Sequence, residues 1–173
     1  MEFSPACCLC PRLASFLDDV RHSKPEYYAR PVPSFGDEQA RLLIVGLAPG
    51  MHGANRTGRP FTGDYAGNLL YSTLHAFGYA STPDPLDVQG RANDAMILRD
   101  CRITNAVRCV PPQNKPVPDE VRCCNGYLAT ELSRLPQAGV ILALGNVAHQ
   151  AVLRALGLRV AHYPFAHAAR HDL

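Results

Sequence analysis

At 173 residues, 47% hydrophobic and 18% charged, the chain has the size and composition of one folded domain with its own core, not of a disordered polypeptide. No apolar run approaches the ~20 residues of a membrane helix. The opening MEFSPACCLC lacks the basic-then-apolar pattern of an export signal, so a cytoplasmic protein without membrane contact is expected. A net charge of +2 neither demands nor excludes an anionic partner, and any nucleic-acid binding must rest on a local patch.

Cys7 and Cys10 form a Cys-x2-Cys pair that runs into a helical pattern. Leu13, Phe16, Leu17 and Val20 recur at helical spacing, which predicts an amphipathic helix over 12–22. Residues 23–40, rich in Pro, Tyr and polar groups, are expected to wrap the surface. Leu42–Gly46 reads as a first strand that empties into a long loop. A second helix is predicted over Ala66–Tyr79, with Leu69, Leu70, Thr73, Leu74 and Phe77 on its inner side and Gly78 at its stop. After a Pro- and Gly-containing loop over 81–93, Arg102–Val107 reads as a second strand leading into a rigid, Pro-rich connection. Pro118 suits the first position of a helix, and Asp119 and Glu120 suit its first turn. Gly139–Gly145 is a fully apolar third strand. Asn146 is expected to cap the next helix, which Gly157 ends. Alternation of strand and helix predicts a parallel sheet covered on both faces, with the strand-to-helix loops on one rim.

The long loop is GLAPGMHGANRTGRPFTGD, Gly46 to Asp64, with five glycines and two prolines. Such a loop after a buried strand lies where α/β sheets bind ligands, and its glycines permit close approach to the main chain. His52, Asn55, Arg56, Arg59 and Asp64 supply chemistry at its mouth. Seven cysteines in a cytosolic chain are not expected to pair as disulfides. Cys7-x2-Cys10 and Cys109-x14-Cys124 form two groups that suit tetrahedral zinc or a [4Fe–4S] cluster, and the x14 spacing leans away from a zinc ribbon. Buried free thiols are the alternative. Cys8 and Cys123 adjoin candidate ligands, and Cys101 is left over.

The Gly46–Asp64 motif, Ile103-Thr-Asn-Ala-Val-Arg-Cys109, and the run from Cys109 to Cys124 together resemble a type B, or family 5, uracil-DNA glycosylase. The resemblance extends from Cys7 to His167. It implies a three-layer α/β/α sandwich with a central parallel sheet, forming a single domain over 1–173 and carrying a structural [4Fe–4S] cluster on Cys7, Cys10, Cys109 and Cys124, with zinc as the alternative. It also implies a base-excision-repair enzyme, a monomer, that hydrolyses the N-glycosidic bond of uracil and other deaminated bases flipped out of DNA.

On that resemblance, Phe61 stacks on the flipped base and Asn105 reads its edge, since an amide offers donor and acceptor together. Phe61 could instead anchor the loop in the core. Gly46, Ala48, Pro49 and Gly50 form the main-chain wall, whose N–H groups would stabilise the departing base. Ala48 stands where many relatives carry Asp or Asn, and Asp64 matches the residue that positions the attacking water. A helix cap is the competing role for Asp64. Arg56 and Arg59 are candidate phosphate contacts, and His52 is expected to be a hydrogen-bonder within the loop.

The family pattern continues past His167 with a last strand, a Ser-Tyr-His-x-Ser-type motif and a wedge loop, which the tail Ala168–Leu173 does not match. The expectation is therefore a shortened glycosylase without its last strand and with weak activity, the alternative being an inactive DNA-binding remnant that retains the metal cluster. His162, His167 and His171 lack the context of the catalytic histidine. The strand at Val140–Leu144 is expected to present an unpaired edge.

Overall fold

The computed structural model describes residues 1–173. A four-stranded sheet forms its centre, in the order β1 (Phe35–Gly36), β3 (Cys101–Asn105), β2 (Leu42–Gly46) and β4 (Val140–Ala143). The three longer strands are parallel, with Ile44 opposite Ile103 on one side and Leu142 on the other. The short β1 adds an antiparallel edge within the segment expected only to wrap the surface, so the sheet is mixed, not purely parallel. Gly36 permits it: its φ is +111°, and a Cβ there would strike the Cys101 carbonyl oxygen.

Strand pleating sends alternate residues to opposite faces and builds two cores. Leu43 and Val45 of β2 pack with Leu13 and Leu17 of α1 (Pro11–Ser23), Leu128 of α4 (Pro118–Ser133) and Ala151 of α5 (Asn146–Ala155). Ile44, Cys101 and Ile103 point the other way, onto Tyr71 and Leu74 of α3 (Tyr65–Ala76). Helices on both faces give the expected three layers. Each fully buried aliphatic side chain contributes about 1.5–3 kcal/mol, so the central β2, buried over Leu43–Val45, is the strand on which the layers depend.

Several expectations change in detail. The α3 helix turns Gly67, Tyr71 and Leu74 inward and leaves Leu69 and Phe77 exposed, unlike the predicted face. Its rotation is set at Gly67, where a Cβ would overlap the Phe61 carbonyl. Asn146 is the first residue of α5 and makes no capping bond, because Gly145, at φ +99°, precedes the helix instead. Pro118 does open α4, and Gly78 and Gly157 follow their helices with positive φ. The β4 strand pairs only with β2, so it is an edge: Val140 is 60% exposed and Leu142 44% exposed despite the strand's wholly apolar sequence.

Candidate active site

Parallel pairing sets Gly46 at the end of β2 beside Asn105 at the end of β3. A side chain on Gly46 has no room: its Cβ would lie 2.6 Å from the Phe61 ring and against Asn105 Oδ1. The ring and the amide thus converge over one glycine, and Asn105 is only 4% exposed. Phe61 adopts φ +55°, a conformation rare for a bulky residue. Packing holds it there. The Tyr71 hydroxyl, buried in the core, donates to the Pro60 carbonyl at 2.9 Å, and the Phe61 carbonyl sits on Gly67. Phe61 also packs against the α3-side core, so its half-buried ring anchors the loop.

Beyond Gly46, the N–H groups of Ala106 and Val107 donate to the carbonyls of Gly46 and Leu47 at 2.8 and 3.0 Å, tying the loop to the end of β3. Pro49 is buried, and the Gly50 carbonyl accepts from Asn55 N at 3.0 Å, which opens the short helix α2 (Ala54–Thr57). The N–H groups of Ala48, Gly50 and Met51 donate to no main-chain carbonyl.

Asp64 does cap α3: its Oδ1 accepts from Gly67 N at 2.7 Å. Its second oxygen turns back toward the loop, where a Cβ on Gly53 would lie 3.2 Å from it and one on Gly50 3.6 Å. One oxygen serves the helix and the other faces the glycine wall, so capping and pocket chemistry are compatible.

The two arginines fold inward. Arg56 donates to the carbonyls of His52 (2.9 Å) and Gly90 (2.7 Å). Arg59 donates to the Asn93 carbonyl at 2.6 Å, lies 4.3 Å over the Phe35 ring, and has a side chain only 12% exposed. Burial lowers its pKa from the ordinary guanidinium value. Both heads clamp the motif loop to residues 90–93; that of Arg59 is buried, whereas Arg56 is half-exposed and its Nη2 has no hydrogen-bond partner in the chain. His52 hydrogen-bonds the Tyr27 hydroxyl through Nδ1 at 2.8 Å, as a loop residue.

The cysteines meet at a different corner. A bidentate pair, Arg12 to Glu120 at 2.7 and 2.8 Å, draws the start of α1 onto the start of α4. One small cavity there is bordered by Cys7, Cys10, Cys109, Cys123 and Cys124. The Tyr127 hydroxyl donates to Cys7 Sγ at 3.3 Å. Burial, a hydrogen bond with Cys123 and the neighbouring thiols push Cys10 up to about 12, and burial with its neighbours raises Cys109 and Cys124 as well. Side-chain positions as they stand make no group of three or more His, Cys, Asp or Glu able to hold a metal ion. The donor chemistry nevertheless suits a soft cation: thiols this buried ionise only beside a positive centre. Of the remaining cysteines, Cys101 is a core residue on the opposite sheet face and Cys8 is exposed.

A family model for the uracil DNA glycosylase superfamily matches residues 33–171. The chain belongs to that superfamily. It is 47% identical to a type-5 uracil-DNA glycosylase of Thermus thermophilus over 97% of its length and 77% of the relative's. It is 43% identical to a type-5 enzyme of Mycobacterium leprae, covering 93% of the chain and 72% of that protein. The corresponding values for one of Pyrobaculum aerophilum are 40%, 91% and 69%. The fold read from the motifs is thus that of the superfamily, a sheet between helical layers. No helix of the chain is long and apolar enough to cross a membrane.

Two supports of the site were not anticipated. Tyr71, which holds Pro60, sits at i+4 from Gly67, and that Gly–Tyr spacing was the available signal. The second is a buried ionic cluster around Glu131, whose members are scattered along the chain and carry no local pattern.

Proposed function

We propose that the chain is a DNA glycosylase of base-excision repair that hydrolyses the N-glycosidic bond of uracil, and of other deaminated bases, extruded from DNA. The observation that carries this reading is the meeting of Phe61 and Asn105 over Gly46, with an oxygen of Asp64 facing the adjoining glycines. A flat plate and an amide at right reach are what a flipped pyrimidine requires: the ring takes the base face, and the amide donates to one edge atom while accepting from the next. Stacking on one aromatic ring contributes ~1–3 kcal/mol.

Cleavage leaves negative charge on the base and positive charge on the sugar. Unspent N–H groups of Ala48 and Gly50 are suited to the first. The free oxygen of Asp64 is suited to orient a water toward the second, acting as hydrogen-bond acceptor. All these residues come from one chain, so a monomer suffices, working in the cytoplasm. Of the two motif arginines, Arg56, half-exposed with Nη2 unpaired, is the one suited to a phosphate contact, while Arg59, buried against Phe35, braces the loop.

Cys7, Cys10, Cys109 and Cys124 would hold a [4Fe–4S] cluster, or zinc in its place. When bound it supplies a structural cross-link between the N-terminal segment and α4, not a redox step. Absorption near the visible thiolate-to-iron bands of anaerobically purified protein decides the metal, and colourless zinc-loaded protein would overturn the cluster.

The activity is tested by single-turnover release of uracil from a duplex carrying one U. Asn105→Ala should lower the rate by about 100-fold or more, the scale of losing one preorganised polar contact. Absence of uracil release by the unmodified chain, or full activity of Asn105→Ala, sinks the reading.

A further inference from the structure

Behind Gly46 and Asn105, on the α4 side of the sheet, lies a polar cluster to which the base chemistry assigns no task. Glu131 is buried, and its Oε2 accepts from Arg102 Nε at 2.5 Å. Its Oε1 accepts from the Ser34 hydroxyl at 2.5 Å and from Arg108 Nη2 at 3.3 Å. Arg108, itself 2% exposed, also donates to Ser34 Oγ at 2.7 Å. Thr104 Oγ1 lies 3.1 Å from Ser34 Oγ. The Ser34 hydroxyl thus lies within donating reach of both Thr104 Oγ1 and the Glu131 carboxylate.

The cluster's members flank the base-reading residue. Thr104 immediately precedes Asn105, and Arg108 follows it by three residues and immediately precedes Cys109. Thr104 and Arg102 point toward α4, so the pleat turns Asn105 away from them. Any rotation of Thr104 about the strand therefore rotates Asn105 with it. Main-chain bonds hold the rest of the segment: the β2 ladder as far as Gly46–Asn105, the bonds from Ala106 and Val107 to Gly46 and Leu47, and Val32 N to the Arg108 carbonyl at 2.7 Å, so the side-chain cluster is what remains to set the tilt of Asn105.

Buried charge clusters contribute little net stability compared with apolar packing, since desolvation offsets their attraction. They do define one geometry, because a satisfied network rigidifies the groups that share it. We propose that Glu131 is a positioning residue for base recognition: through Ser34, Thr104 and Arg108 it sets the attitude of the Asn105 amide over Gly46 and links it to the Cys109 corner. This rests on the glycosylase reading, in which Asn105 is the residue that touches the base.

Glu131→Gln keeps the shape of the side chain and removes its charge. Single-turnover uracil release per folded molecule should fall about 10-fold or more, since displacements near 1 Å cost up to ~100-fold in rate. In an Asn105→Ala background the same change should cost nothing further, because Glu131 acts through that amide. The side-chain amide resonances of Asn105 should shift in Glu131→Gln. Ser34→Ala, a gentler lesion, should move rate and resonance in the same direction if the first variant folds poorly. An equal loss with and without Asn105, or an unmoved Asn105 resonance, overturns the proposal. If the unmodified chain releases no uracil, the activity reading falls, and the resonance still decides the positioning role.

Discussion

Gly46 lacks a side chain because Phe61 and Asn105 occupy the space one would need. Gly46→Ala should therefore push the ring or the amide out of register. Overpacking of this kind costs about 1–3 kcal/mol of stability, and uracil release should fall much further than the folded fraction measured by circular dichroism. Asp64 offers a cleaner separation of roles. Asn is as good a helix cap as Asp, so Asp64→Asn should leave the melting temperature nearly unchanged and lower the rate of base release. Asp64→Ala should lose both, with about 1 kcal/mol of stability gone with the cap. Equal rates for Asp64→Asn and the parent chain would leave the carboxylate with capping alone.

At the scale of elements, the start of α1 and the start of α4 are joined by Arg12 and Glu120, and the thiol corner depends on that junction. Glu120 is also the acceptor for Val117 N at 2.8 Å, closing the first turn of α4. Glu120→Ala should loosen both, and in metal-free protein Cys7 and Cys10 should react faster with a thiol reagent while Cys101, on the opposite sheet face, keeps its rate. The α4 helix also carries Glu131. Burial pushes its carboxyl up, but hydrogen bonds from Arg102 and Ser34 and the charges of Arg102 and Arg108 outweigh it and hold the pKa below the ordinary 4.5. A carboxylate depressed on folding contributes stability that is complete above its unfolded value and is lost as pH falls through its folded value. Unfolding free energy should thus decline as pH drops below about 4.5, and the decline should be shallower in Glu131→Gln. Identical acid profiles for the two proteins would remove Glu131 from the balance.

Across the whole molecule, the sheet is protected on one edge and open on the other. The two-residue β1 covers β3, whereas β4 offers its outer edge with Val140 and Leu142 exposed. Unpaired apolar edges are templates for strand addition, and a single inward or edge lysine is enough to discourage it. Light scattering at rising concentration should show self-association that Leu142→Lys reduces. Unchanged scattering in that variant would exclude β4 as the contact.

Local pattern determined much of this protein. Helical spacing located α1, the Pro118 start located α4, and apolar runs located β2 and β4, because those signals arise from neighbours in the chain; the strand read over Arg102–Val107 forms over Cys101–Asn105. The motif from Gly46 to Asp64 stands out locally by its glycines, whereas Asn105 was singled out only through the family resemblance, since a strand-end Asn by itself reads as a turn or cap residue. Tertiary structure alone decided which way they face. The arginines of the motif read as surface cations, yet Arg59 is buried against Phe35, since the loop over 81–93 folds across it. The inner face of α3 follows Gly67 and Tyr71, not the Leu69 and Phe77 spacing, because the Phe61 carbonyl fixes the helix rotation. The unpaired edge expected at Val140–Leu144 is present, but the apolar composition of β4 suggested burial on both faces. Val140 and Leu142 stay exposed because burial of a strand side chain needs a layer over that face of the sheet, which composition does not specify. The Glu131 cluster draws on residues as far apart as Ser34 and Glu131, and long-range charge pairing leaves no trace in any local window.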